Sequence, residues 1–404
     1  MSDNQLNKRP ISSRGMPFVI PVILFFFALF LRTAAIILLP DLVSVAPDKT
    51  HRYDPIAESI LSGQGFGIAG NPTAIAGPVY PVFLAIVYSV FGFGVTRLRL
   101  ILAALDAGQC VISYLIALRY FDRRVALITG VLLAVCPYFL FAVYVCTTET
   151  VFLFLNALFL LTFSRATELR TRRSYFIAGI ACGFTTLCRA TSLLLPLFLI
   201  PTFVVNGRKN LLPGFNCFLL FLLGVLVTIG PWTYRNYIVF GKLVPIQTLG
   251  GYHLYLATGQ KKVRDPRVGA VSNDREYFNR AWSSIESHPL DYAGRMVGRF
   301  WKMWSKTDSG KQDRTLSVVN LSLLVAALFG MWIHRRRWKE LLPLELIFFN
   351  YVAVHVVVIA LFRYMLPTIP ILVMFAVAAV SWFVPNRLES GLATGEPGKR
   401  WGHI

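Results

Sequence analysis

The stretch Phe18–Leu39, FVIPVILFFFALFLRTAAIILL, decides the class of this chain. Its 22 residues carry a single charge, Arg32, and a helix needs roughly 20 residues to cross a hydrocarbon core. The polar, basic segment MSDNQLNKRPISSRGMP precedes it, with no small-residue cleavage site. The run is also long for a signal peptide, so a retained first membrane helix is expected. Runs of the same kind recur along the whole chain. Hydrophobic residues make up 55% of the 404 and charged residues 15%. That balance excludes a soluble enzyme and a disordered chain, since neither could keep so much apolar surface from water. The 40 Lys+Arg against 20 Asp+Glu give a net charge of +20. Nucleic-acid binding is not expected, because the cations sit between apolar runs rather than in one stripe. The fold class is an all-α polytopic membrane protein.

Topology follows from the short basic loops. Arg119, Arg123 and Arg124 follow one apolar run, Arg165 to Arg173 the next, then Arg208 and Lys209, and Arg335 to Lys339. Placing each cluster in the cytoplasm gives about ten spans with both termini inside a plasma (inner) membrane. The expected layout is a cytoplasmic tail 1–17, a first span 18–39 and an external loop 40–97 with interfacial helices. Helices two to seven follow over 98–232, then an external loop 233–314, three last spans over 315–384 and a cytoplasmic tail 385–404. Residues 78–94 are expected to lie at the interface or re-enter rather than cross. Arg299–Trp304 interleaves aromatics with cations, which suits a helix in the headgroup zone. The six cysteines lie in or beside apolar runs without a CxxC pair, as buried small side chains do.

Two acids stand at the expected outer ends of spans. Asp48 follows the first span, and a carboxylate there suits a base taking a proton from an acceptor at the membrane edge. A helix cap is the plainer reading, because His51–Leu61 has helical character. Glu149, in VCTTETV, is flanked by apolar runs. Carboxylates at such depth face a cavity or a partner, although a solvated glutamate would also suit a helix start. Three cations share that level: Arg189 in TTLCRAT, Arg235 in PWTYRNY and Arg363 in ALFRYMLP. Converging guanidinium groups would hold a phosphate and stabilise charge developing on it as it leaves. Taken singly, each is also compatible with snorkelling.

In order along the chain, the sequence resembles the protein O-mannosyltransferase-like and lipid A aminoarabinose transferase-like branch of the C-type (GT-C) membrane glycosyltransferases. The matching elements are Asp48, Tyr53, Ala57, Leu61, Gly63, Gly65 and Phe66, then Pro78, Tyr80 and Pro81. They continue with Arg97, Glu149, Gly179, Gly183, Leu187 and Arg189, then Pro231, Trp232, Arg235, Asn236 and Tyr237, and last Arg363, Tyr364, Pro367 and Pro370. No single element is specific; the ordered set is. Two departures stand out. Asp48 lies five residues before Tyr53 rather than four, which makes Asp54 a rival, and Lys49 stands where the family often has an acid.

The resemblance implies a GT-C bundle with a polyprenyl-phosphate-linked sugar as donor, bound on the external face beside membrane lipids. An acceptor hydroxyl on a lipid, glycan or protein would be deprotonated by Asp48 and attack the anomeric carbon with inversion. Glu149 would orient the acceptor or share the base role, while Arg189, Arg235 and Arg363 would hold the donor phosphate. Tyr53, Tyr80, Tyr237 and Tyr364 would line the substrate pocket. No metal-ligand cluster is visible, so no metal or other cofactor is expected. A lipid flippase or transporter is the alternative. It calls for polar residues near the midplane of paired halves, and Asp106, Asn350 and His355 do not form a matching set.

Overall fold

The computed structural model describes residues 18–206, 211–261, 271–306 and 313–383. The expected tails 1–17 and 385–404 lie outside the described residues, as do Arg208, Lys209, Lys262, Arg264 and Arg267. The described chain is helical apart from a two-residue antiparallel pairing of Gly67–Ile68 with Asn71–Pro72. From the first apolar stretch come α1 (Val19–Leu38), α2 (Asp54–Leu61) and α3 (Val79–Phe91). Next are α4 (Val95–Tyr120), α5 (Arg123–Ala134), α6 (Pro137–Val145), α7 (Thr148–Leu169) and α8 (Arg172–Cys188). The short α9 (Leu195–Phe198) and α10 (Ile200–Asn206) precede α11 (Leu211–Phe240) and α12 (Gly250–Ala257). The chain continues through α13 (Val271–Ser287), α14 (Pro289–Ser305), α15 (Arg314–Ile333), α16 (Trp338–Val357) and α17 (Ile369–Phe383).

Six helical stretches are long and apolar enough to cross a membrane, and a seventh arises if the bent pair α5–α6 is one span. The chain is therefore an integral membrane protein. One of the six runs for 44 residues from Arg314 to Val357, which at 1.5 Å per residue would be about 66 Å, twice a hydrocarbon core. It is two spans back to back, turned by the basic segment His334–Arg337. The contacts of α14 require this. Arg299 donates to Val356 O (2.5 Å) at the end of α16, and Asn320 near the start of α15 donates to Trp304 O (3.1 Å). At 17 residues α8 is shorter than a full span, and α3, at 13 residues, falls further short. The expected count of ten leans on α8 and on the short pair α9 and α10, and does not include α3.

Two devices hold the bundle. The first is close helix contact. A Cβ on Gly179 of α8 would lie 2.1 Å from Phe221 O of α11, and one on Gly224 2.4 Å from Phe176 O. With no hydrophobic force between helices in lipid, small residues that let backbones touch drive association. Gly179→Leu should therefore lower stability by about 3 kcal/mol. Gly294→Ala in α14, where a Cβ meets nothing within 4 Å, should be neutral or slightly stabilising; thermal unfolding in detergent checks both.

The second device is a buried ion pair. Arg32 of α1 bonds Asp106 of α4, and both side chains are 2% exposed or less. The same guanidinium donates to Ala134 O and, at 3.2 Å, to Leu133 O. These carbonyls end α5, just before the chain bends by 43° into α6 at Pro137. Asp106, a midplane candidate for a transport path, is thus committed to a helix junction.

Candidate active site

The π-helical turn Lys49–Tyr53 follows Asp48, whose side chain makes no capping bond. The capping reading of Asp48 therefore does not describe it. Its carboxylate, 34% exposed, faces Arg363 at 3.4 Å and Arg52 at 3.6 Å. Glu149 opens α7 and is buried, at 2% exposure, rather than solvated. Its Oε1 lies 3.4 Å from Arg189 Nη1 and 3.7 Å from Arg363 Nε, and Thr147 donates its hydroxyl to Oε2. Arg363 thus bridges two carboxylates that are 101 positions apart in sequence.

These groups line one cavity of about 250 Å³. Tyr53 and Tyr364 share its wall, with Thr147, Thr191, His253 and His355. Tyr364 stacks on His355, ring centroids 4.6 Å apart, and the Arg189 guanidinium lies 4.9 Å from the centroid of the same Tyr364 ring. That cation–π contact favours the observed direction of the Arg189 guanidinium. Burial pushes the Tyr53 phenol up to about 12, so it stays a neutral hydrogen-bond donor. The guanidinium–carboxylate distances, 3.4 to 3.7 Å, are longer than tight hydrogen bonds.

The turn carrying Glu149 is held from three sides. Arg99 donates to Tyr144 O (3.1 Å), Ala46 N donates to Val145 O (3.0 Å), and Tyr80 donates its hydroxyl to Cys146 O. Cys146 sits at φ 53°, a left-handed conformation that costs a non-glycine residue about 1 kcal/mol or more. Such strain persists only where surrounding contacts impose it.

Not every expected residue joins the cavity. Asp54 is bound to Lys49 Nζ (2.6 Å) and accepts from the Tyr88 hydroxyl (2.7 Å). Lys49, the departure from the family pattern, thus finds its partner in the rival acid. Arg235 donates to Thr73 O (2.9 Å) and Phe66 O (2.8 Å), fastening the first loop to α11. Tyr80 is wholly buried behind Tyr53, and Tyr237 is 56% exposed; neither lines the cavity.

Sequence reasoning missed three lining residues, Arg52, His253 and His355. Arg52 was visible one turn from Asp48. His355 stood out only as a polar residue in an apolar run. Nothing marked His253, on α12, whose start is capped by Asp274 accepting from Gly251 N (2.9 Å) and Tyr252 N (3.2 Å). Burial, then the Arg52 and Arg363 cations, lower its imidazole to about 4. Between pH 6.5 and 4 the unfolded chain therefore binds a proton that the folded chain refuses, and stability falls as pH drops. His253→Gln should flatten the fall of the melting temperature across that window, read from a pH series of thermal melts.

Comparison with known proteins now bears on this geometry. Residues 75–234 match the family model of dolichyl-phosphate-mannose-protein mannosyltransferase. The chain also superposes on ArnT from Cupriavidus metallidurans bound to undecaprenyl phosphate, with a TM-score of 0.55 at 16% identity over 93% of this chain. The chain thus has the fold of ArnT, and its residues 75–234 are similar to that mannosyltransferase family. The chain is likewise similar in fold to the archaeal oligosaccharyltransferase AglB from Archaeoglobus fulgidus, in complex with an inhibitory peptide and a dolichol-phosphate. There the TM-score is 0.52 at 16% identity over 94% of the chain. The chain spans 61% of the ArnT structure and 52% of the AglB structure. No curated protein sequence matches it significantly.

Proposed function

We propose that this chain is a glycosyltransferase that moves a sugar from a polyprenyl-phosphate donor to an acceptor hydroxyl on a lipid, glycan or protein at the external face of the plasma (inner) membrane. The observation that carries the reading is Arg363 set between Asp48 and Glu149 in one cavity. Asp48, the more exposed acid, takes the acceptor proton as the acceptor oxygen attacks the anomeric carbon from the face opposite the phosphate. The bond from that carbon to the phosphate oxygen breaks with its electron pair, and the configuration inverts. The transition state has oxocarbenium character. Arg189 and Arg363 take up the charge that develops on the departing phosphate. Glu149, buried between them, sets their positions, which refines the expectation that it would orient the acceptor or share the base role.

Charge supports the same division of labour. Arg52, Arg189 and Arg363 against Asp48 and Glu149 leave the cavity with 3 − 2 = +1, which a phosphodiester would neutralise. The undecaprenyl phosphate bound to ArnT and the dolichol-phosphate bound to AglB are phosphomonoesters, the chemical class of the group that would leave such a donor. Both substrates then meet at one interface, which supplies the orientation term.

The reaction is tested with full-length protein in liposomes holding polyprenyl-phosphate-linked hexoses or pentoses. The expected result is acceptor-dependent release of polyprenyl phosphate; no release from any donor, with folded protein, would overturn the reading. Sidedness has its own check. Ser283→Cys on α13, an exposed position, should react with a membrane-impermeant maleimide from outside the inner membrane. Labelling only after that membrane is breached would place donor and acceptor on the wrong side.

A further inference from the structure

Thr191 in the cavity wall and Asn350 behind it form a polar pair that the reaction so far leaves unused. Thr191 lines the cavity two residues beyond Arg189. Asn350 lies one helical turn below Val354, itself a lining residue, and donates its Nδ2 to Thr191 O at 3.4 Å. Asn350 is wholly buried. Its Oδ1 and the Thr191 Oγ1 are both shielded from solvent and have no hydrogen-bond partner. The layer below is satisfied: the Ser192 and Tyr351 hydroxyls lie 3.1 Å apart, and Tyr351 donates to Asn156 Oδ1 at 2.6 Å. An unpaired polar atom at this depth is costly to keep. Two of them, on residues joined by the Asn350–Thr191 contact, with Thr191 lining the substrate cavity, point to a partner that arrives with the substrate.

The pair is chemically specific. Asn350 Oδ1 can only accept, and the Thr191 hydroxyl can donate or accept, so a hydroxyl-bearing ligand suits this chemistry. We infer that Thr191 and Asn350 form a subsite for a hydroxyl of the donor sugar. The inference rests on the proposed function, because it needs a sugar attached to the phosphate held by Arg189. The chain geometry favours the donor over the acceptor. Thr191 follows Arg189 on the same wall, and a sugar esterified to the phosphate lies within a ring's width of it. Thr191 is thus a specificity-determining residue and Asn350 its support.

The test measures binding of purified full-length protein to bare polyprenyl phosphate and to a panel of polyprenyl-phosphate-linked hexoses and pentoses. In the unmodified protein at least one sugar should add affinity over bare polyprenyl phosphate. Thr191→Val, which keeps the shape and removes the hydroxyl, should weaken that glycosylated donor about tenfold and leave bare polyprenyl phosphate unchanged. Asn350→Leu should do the same, and Thr191→Val keeps the test open if the Leu variant does not fold. If no sugar adds affinity, or the increment survives Thr191→Val, the inference is overturned and the pair holds water only. Equal weakening of both ligands would also overturn it, as a general distortion of the cavity. Failure to bind polyprenyl phosphate at all would instead strike the proposed function.

Discussion

Asp48→Asn lowers sugar transfer by about 10³-fold while the protein still folds and still binds polyprenyl phosphate. The amide keeps the size of the side chain and removes the group that receives the acceptor proton. Little stability goes with it, because the carboxylate is 34% exposed and its two arginines stand 3.4 and 3.6 Å away. Loose, part-solvated pairs of this kind contribute about 1 kcal/mol or less. Asp54→Asn should behave in the opposite way. It strips the partner from Lys49, which is 5% exposed, so it costs stability while spared molecules keep their turnover. Transfer rates normalised to folded protein, with melting temperatures alongside, separate the two. Loss of turnover in folded Asp54→Asn, with Asp48→Asn active, would hand the base role to Asp54.

Glu149→Gln is expected to act first on structure. Its carboxylate is 2% exposed and neutralises two guanidinium groups; removing one member of such a buried set costs about 3 kcal/mol. The cavity charge rises from +1 to +2 by the same count. Anion binding should then offset part of the loss, because a ligand that binds only the folded state stabilises it by mass action. Polyprenyl phosphate should therefore raise the melting temperature of Glu149→Gln by more than that of the unmodified protein. An equal rise in both would mean that Glu149 does not set the electrostatics of the cavity. Combining Glu149→Gln with Arg189→Gln gives the coupling directly, expected at about 1–3 kcal/mol for groups in contact.

The spans were legible where apolar runs were long. Phe18–Leu39 and the run inside Val95–Tyr120 announce α1 and α4, and the basic turn His334–Arg337 marks where α15 folds back into α16. The carboxylates were legible too, since an acid beside a span has few plain uses. The arginines were not separable by sequence. Arg189, Arg235 and Arg363 all stand at helix ends with aromatic neighbours. What divides them is tertiary: Arg235 meets two carbonyls of the first loop, whereas the other two meet Glu149. His253 was invisible because its place depends on α12 docking against α13 through Asp274, a contact 23 and 22 positions apart with no local pattern. Tyr80 carried a family motif, yet its hydroxyl supports the Cys146 turn instead of facing substrate.

The central claim is that two acids and the arginines between them build one phosphate-binding reaction cavity. A cryo-electron-microscopy structure of the full chain with undecaprenyl phosphate tests it most directly. The account places the phosphate within hydrogen-bond reach of Arg189 and Arg363, with Asp48 facing the open side. A phosphate bound elsewhere, for instance in the basic pocket of Arg119, His334 and Arg337, with the Asp48–Glu149 cavity empty, would contradict it.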